Sequence, residues 1–212
     1  MLFAMMIACD ESEFADVIPK RFLEIQLNPD DIYMYNSDEN TLGVRLDPLL
    51  NDSIKVDVNV TYSTPASGVI SFIENEGWFY KPKAGFYGTD QFTYTVCRDN
   101  TCASATITMY VEKVPDFANC TFQINGESVE TKIDQPVSIR IFDNDVVCPY
   151  QGSSIWSPEK GRFTSYSYSG NYKNTVYVYY PPKGYVGTDR FKYRLYTPTG
   201  YLETYCTITV KP

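Results

Sequence analysis

The groups in this chain that could do chemistry are carboxylates, thiols and phenols: 26 acidic residues, 6 cysteines and 19 tyrosines, with 0 histidines. Without imidazole there is no Ser-His-Asp triad, no Cys-His pair and no His-ligated zinc. Two carboxylates alone suffice for glycoside hydrolysis, but no Asp or Glu pair here stands in a recognisable catalytic context. Asp90 and Asp189 each lie between a Gly-Thr turn and an alternating run, where a short carboxylate accepts backbone N–H bonds and holds a loop. Gly85, Gly88, Gly184 and Gly187 precede no helix, so they read as turn or close-packing positions and not as a phosphate cradle. The chain reads as non-enzymatic and free of cofactors.

The thiols indicate a compartment. Cys9 ends the apolar run Met1 to Ala8 and is followed by Asp10, Glu11 and Glu13. Met6-Ile7-Ala8-Cys9 resembles the end of a bacterial lipoprotein signal in having Ala before Cys, although a basic start is missing and Met6 stands where Leu is usual. The expectation is lipidation of Cys9, membrane attachment through that anchor alone, and an extracytoplasmic chain, either a cell-surface (outer-membrane) lipoprotein or secreted. The alternative is an apolar N-terminus with an unmodified thiol. Cys97-Arg-Asp-Asn-Thr-Cys102 reads as a hairpin turning at Asp99-Asn100, which sets Cys97 opposite Cys102 at a non-hydrogen-bonded site, where side chains approach closely. A disulfide is expected there. Among Cys120, Cys148 and Cys206 one more bridge can form, and Cys120 with Cys148 is the preferred pair.

The elements that position these groups come from a duplication. Gly85-Phe-Tyr-Gly-Thr-Asp-Gln-Phe-Thr-Tyr94 recurs as Gly184-Tyr-Val-Gly-Thr-Asp-Arg-Phe-Lys-Tyr193. Asn51 answers to Asn144, a spacing of 144 − 51 = 93, whereas Asp90 answers to Asp189, a spacing of 189 − 90 = 99, so the second copy carries 99 − 93 = 6 extra residues between them. Phe92, Tyr94 and Val96 alternate with polar residues, as do Ile107, Met109 and Val111; Phe191, Tyr193 and Leu195, then Ile208 and Val210, repeat both patterns. Turn signals at short intervals make this a set of short strands in a sandwich. The one expected helix, short and interrupted by Pro19, lies around Ser12 to Leu27.

An Asn-Asp pair, a glycine-containing strand, an aromatic-x-Tyr-x-Pro strand and the Gly-Thr-Asp-x-Phe-x-Tyr run occur in that order twice: Asn51-Asp52, Gly68, Trp78 to Pro82 and Gly85 to Tyr94, then Asn144-Asp145, Gly161, Tyr177 to Pro181 and Gly184 to Tyr193. The pattern resembles the bacterial immunoglobulin-like, cadherin-like tandem repeats of surface proteins. That resemblance implies an all-β chain of two tandem Ig-like (cadherin-like) antiparallel β-sandwich domains, at 28–114 and 117–212, after a lipoprotein-signal remnant and N-terminal linker at 1–27. It implies a role as adhesion module, protein-interaction module or spacer. It also raises calcium, since cadherin-like relatives bind it with Asp and Asn oxygens; the candidates here are Asp47, Asn51, Asp52, Asp143 and Asp145. Calcium wants six to eight oxygens, and the junction Val114-Pro-Asp-Phe-Ala-Asn119 lacks an acidic cluster.

A net charge of −8 argues against nucleic acid or an anionic membrane surface as partner. Parity sends Trp78, Tyr80, Tyr177, Tyr179 and Phe163 inward and Tyr166, Tyr168 and Tyr180 outward, with Tyr172 in the Ser-Gly-Asn loop. An exposed Tyr166, Tyr168, Tyr172 and Tyr180 cluster would suit stacking on sugar rings or anchoring a protein, so the expected partner is another surface protein or a glycan. The alternative is that strands simply favour tyrosine.

Overall fold

The structure, a computed structural model, describes residues 25–37, 42–54, 58–98, 101–148, 152–169 and 171–212. Cys9, Pro19 and the Asp99-Asn100 turn lie outside the described residues, and 25–27, the described end of the expected helix, are irregular.

In the first half, β1 (Asp30–Asn36), β7 (Thr101–Lys113), β6 (Gly88–Arg98) and β3 (Asn59–Tyr62) form one sheet in that order, and β2 (Val44–Arg45), β5 (Gly77–Pro82) and β4 (Gly68–Ile73) form another. The second half repeats the plan. There β8 (Glu127–Lys132), β14 (Gly200–Lys211), β13 (Gly187–Thr197) and β10 (Gly152–Ile155) lie side by side, and β9 (Val137–Ile139), β12 (Thr175–Tyr180) and β11 (Arg162–Ser167) make the smaller sheet. The chain is all-β. The expectation of purely antiparallel sheets needs one correction: β1 pairs parallel to β7, and β8 parallel to β14. The first strand of each half lies beside the last, and the intervening strands supply the long connection that a parallel pair requires.

Alternation places the core. Asp90, Phe92, Tyr94 and Val96 of β6 are buried while Gln91 and Thr93 are exposed, and β13 buries Asp189, Phe191, Tyr193 and Leu195 in the same way. These strands face two separate groups of buried apolar side chains, one around Tyr80, Tyr94 and Ile107, the other around Tyr179, Tyr193 and Ile208. Trp78, expected inward, is half-buried, with ring centroids 5.3 Å from both Tyr62 and Phe72. Gly68 and Gly161 are required by close approach. A Cβ on Gly68 would stand 2.3 Å from the Tyr80 ring, and one on Gly161 would stand 2.5 Å from the Tyr179 ring.

Candidate functional site

Four buried aspartates hold the two halves from within. Asp90 accepts from the Ala66 and Ser67 amides at 3.1 and 2.8 Å and from the Tyr80 phenol at 2.9 Å. Asp189 accepts from the Lys160 and Gly161 amides at 3.1 and 2.8 Å and from the Tyr179 phenol at 2.7 Å. Each carboxylate thus ties the loop before one strand to the tyrosine of the next. A second pair repeats the device: Asp52 takes the Asn28 amide at 2.7 Å and the Tyr94 phenol at 2.8 Å, and Asp145 takes the Asn125 amide at 2.7 Å and the Tyr193 phenol at 3.4 Å. Burial pushes the Asp145 carboxyl up to about 6, against the lowering effect of its amide and phenol donors.

These bonds decide the calcium question. Asp52 and Asp145 already spend their oxygens on amides and phenols, and Asp47 pairs with Arg45 at 3.3 Å. Asn51 donates to the Pro29 carbonyl at 3.0 Å. Asp143, which is exposed, and Asp145 belong to the other half from Asp47, Asn51 and Asp52. Among the described residues no group of three or more His, Cys, Asp or Glu is arranged to hold a metal ion. The five candidates therefore do not fit a calcium site as a set.

The tyrosines need a larger correction, because Tyr168 is only 3% exposed and belongs to the apolar group of the first half. Its phenol donates to Asp30. Parity correctly took it off the second half's own core, but the face it reaches is covered by the first half. Tyr166 is half-buried beside it, with ring centroids 5.7 Å apart. Tyr172 is half-buried against Phe142 at 6.0 Å, and Tyr180 is half-buried under the Arg162 guanidinium at 4.2 Å. The four do not form one exposed cluster. Tyr166, Tyr168 and Tyr180 instead line a polar cleft of about 690 Å³ between the halves, together with Asn51, Asp31 and Arg140.

The residues that close this junction were not legible as a site. Asn174, 0% exposed, donates to the Tyr33 and Ser169 carbonyls at 2.8 and 2.6 Å and accepts from the Tyr33 amide at 2.7 Å. Arg140 donates to the Asp31 and Lys173 carbonyls at 2.7 and 3.0 Å. Lys173 pairs with Glu112 at 2.7 Å, and the Arg45 amide donates to Ser169 Oγ at 3.2 Å. Tyr168, Ser169, Lys173 and Asn174 all lie in the connection between β11 and β12. The six extra residues of the second copy fall in this hairpin, since Gly68 to Tyr80 spans 12 positions and Gly161 to Tyr179 spans 18. That unequal spacing was the available signal.

Cys97 is bonded to Cys102, with Cα atoms 4.1 Å apart, across paired positions of β6 and β7. Cys120 is bonded to Cys148, with Cα atoms 5.8 Å apart. Among the described residues Cys206 is the free thiol; it is buried, and burial pushes it up to about 12, so it is held as an unreactive neutral group. No helix among the described residues is long and apolar enough to cross a membrane.

Residues 26–112 match the model of a protein family described as Bacterial Ig domain. The match covers less than half of the chain and supports a bacterial Ig-like domain over that segment. No curated protein matches the sequence significantly. Among solved structures, an endo-fucoidan hydrolase from glycoside hydrolase family 107 aligns over 87% of this chain and 28% of its own at 14% identity, with a TM-score of 0.29. Titin Ig tandem domains align over 88% of this chain and 95% of theirs at 8% identity and a TM-score of 0.27, and a chimeric titin tandem over 88% and 97% at 11% and 0.30. The chain thus spans less than a third of the hydrolase's length. The match supports an Ig-like domain over residues 26–112, within which the buried Asp52 and Asp90 are committed to amides and phenols.

Proposed function

We propose that the chain is a bacterial extracytoplasmic adhesion or spacer module, built from two Ig-like units at 28–114 and 117–212 that are held against one another as one stiff body. The observation that carries this reading is the Asn174 side chain, fully buried while making three hydrogen bonds to backbone across and within the junction. A buried amide of this kind is costly to leave unpaired, so the units separate only by exposing or orphaning it. Two disulfides are consistent with an oxidising location. An anchor at Cys9 belongs to the proposal and is checked by the mass of the mature N-terminus. Small-angle scattering of the full chain tests the stiffness: one fixed maximum dimension, unchanged by salt, is expected, and a broad distribution that swells with salt would refute it. Capture of a defined surface protein by the full chain would add the adhesion partner.

A glycan reading keeps one supporting observation, the polar cleft with Tyr166 and Tyr180 on its wall. Replacing those two by Ser should abolish any sugar binding located there; Tyr168 is left intact because its contact with Asp30 is part of the junction.

A further inference from the structure

The outer face of the larger sheet differs between the halves. On β13, Arg190, Lys192 and Arg194 alternate with the buried Phe191, Tyr193 and Leu195, so all three cations stand on the outer face, opposite Thr207, Tyr205 and Glu203 of β14. Three exposed rings lie among them: Trp156, Tyr201 and Tyr205, at 39%, 55% and 45% exposure. Trp156 is held beside β13 by its amide, which donates to the Lys192 carbonyl at 3.0 Å. Every ring meets a cation. Arg190 lies 5.0 Å from the Tyr205 centroid, Lys192 4.5 Å from that of Trp156, and Arg194 3.8 Å from that of Tyr201.

The counterpart positions, 99 residues earlier, are neutral: 190 − 99 = 91 gives Gln91, followed by Thr93 and Thr95, opposite Thr108, Thr106 and Ser104. There the side chains bond one another, Thr95 to Ser104 at 2.7 Å and Gln91 to Thr108 at 3.2 Å. The same sheet thus carries a hydroxyl face in one half and a ring-and-cation face in the other, in a chain whose net charge is −8.

We infer that this face of the second half binds an acidic polysaccharide, a chain of sugar rings bearing carboxylate or sulfate groups. Trp and Tyr offer flat apolar surfaces with polar tips to the C–H faces of sugars. Arg offers a planar fork to carboxylate or sulfate, and Lys a point charge. The protein's own acids mark where such anions sit: Glu203 takes two Arg194 nitrogens at 3.1 and 2.7 Å, and Glu159 takes Arg190 at 2.6 Å. The Arg190–Glu159 pair, more than half exposed on both sides, contributes little, so a ligand anion can take the place of Glu159. A protein partner fits less well, because Lys192 and Glu203 occupy the middle of the face, and Lys and Glu are depleted at protein interfaces. The inference rests on the proposed role as an extracytoplasmic module and is independent of the tyrosine cleft.

The test is affinity electrophoresis of the full chain in gels containing polygalacturonate, dextran sulfate or neutral dextran. Retardation by one or both polyanions and not by dextran is expected; which of the two retards tells carboxylate from sulfate. Raising salt from about 50 to about 500 mM should weaken binding roughly tenfold, because the contacts are screened. Tyr201→Ser with Tyr205→Ser, and separately Arg190→Gln with Arg194→Gln, should each weaken it by about tenfold. No retardation by either polyanion, equal retardation by dextran, or binding unchanged in both variants would overturn the inference, as would equal affinity for a single-stranded oligonucleotide or for an acidic protein in place of the polysaccharides. If the tyrosine variant melts early, Arg190→Gln alone decides; this residue is exposed, and its loss should still cost about threefold. Scattering of the same samples separates the outcomes: a stiff chain that ignores polyanions refutes this inference and leaves the two-unit reading standing.

Discussion

The two halves keep the same buried polar posts and differ in what they show outward. Asp90 with Tyr80 and Asp189 with Tyr179 are superposable in role, as are Asp52 with Tyr94 and Asp145 with Tyr193. These groups face inward, where an unpaired carboxylate or phenol is expensive, and a copy that lost one partner would be destabilised. Nothing of that kind restrains the outer face. There Cys97 and Cys102 of the first half, joined as a disulfide, correspond at a spacing of 99 to Tyr196 and Tyr201 of the second. The Thr and Ser ladder corresponds to cations and rings, and the tight β4–β5 turn to the longer β11–β12 hairpin that reaches the other half. Buried polarity preserves the architecture, while the exposed face and the hairpin tip carry the specialisation.

The strongest way to break this comparison is to remove a post from each half. Asp90→Ala strands two amides and a phenol and Asp189→Ala three amides and a phenol, and each should cost about 3 to 5 kcal/mol. Urea unfolding of the full chain should show similar losses for the two; a loss below about 1 kcal/mol at either would mean that the posts are not equivalent. The disulfides should be unequal. They span 5 and 28 residues, for which chain entropy gives about 2 kcal/mol for Cys97–Cys102 and about 3.5 kcal/mol for Cys120–Cys148. Paired Cys→Ser variants, compared in thermal melts, measure the difference, and a reversed order would show that strain outweighs loop entropy.

Asn174→Ala sharpens the contrast at the junction. It removes three hydrogen bonds from a fully buried group and should cost about 2 kcal/mol. It should also separate the melting of the halves, since no equivalent residue in the short β4–β5 turn performs this task. A single unsplit transition, with scattering unchanged, would show that the rest of the contact suffices.

The repeat and the strand faces were legible because alternation of Phe92, Tyr94 and Val96 with polar neighbours is a local pattern. The Cys97–Cys102 pair was legible for the same reason, a hairpin register within six residues. Tyr168 was not: parity states which side of β11 it leaves, but not that the first half covers that side. The calcium candidates misled because Asp52 and Asp145 look like ligands until Asn28, Tyr94, Asn125 and Tyr193, distant in sequence, are seen to occupy them. Trp156, Tyr201 and Tyr205 were not legible as a group because only strand pairing sets them beside Arg190, Lys192 and Arg194.

The smallest expected effect, read per pH unit, compares two acids at equivalent places. Asp30 opens β1 opposite Ile107, and Glu127 opens β8 opposite Cys206, again 206 − 107 = 99 apart in the partner strand. Each has one buried oxygen without a hydrogen-bond partner, Asp30 Oδ2 and Glu127 Oε1. Burial pushes Asp30 up to about 8; Asp52 and Asp31 push the same way, while the Tyr168 phenol and Arg140 oppose it. Burial, then Asp145 and Asp143, push Glu127 up to about 7. Both acids hold their protons in the folded chain at a pH where the unfolded chain has released them. Their contribution to stability is therefore fully present below about pH 4, the unfolded carboxyl range, and is lost as pH rises through 7 for Glu127 and through 8 for Asp30. Each proton gives a slope of at most about 1.4 kcal/mol per pH unit. Urea midpoints of the wild type should fall from about pH 5 to about pH 8. Glu127→Gln should flatten the lower part of that fall, and Asp30→Asn should flatten it up to the top, where the junction with Tyr168 is at stake. An Asp30→Asn curve parallel to the wild type would mean that the carboxyl is ionised in the folded chain, with a cation or water supplied to the oxygen that now has no partner.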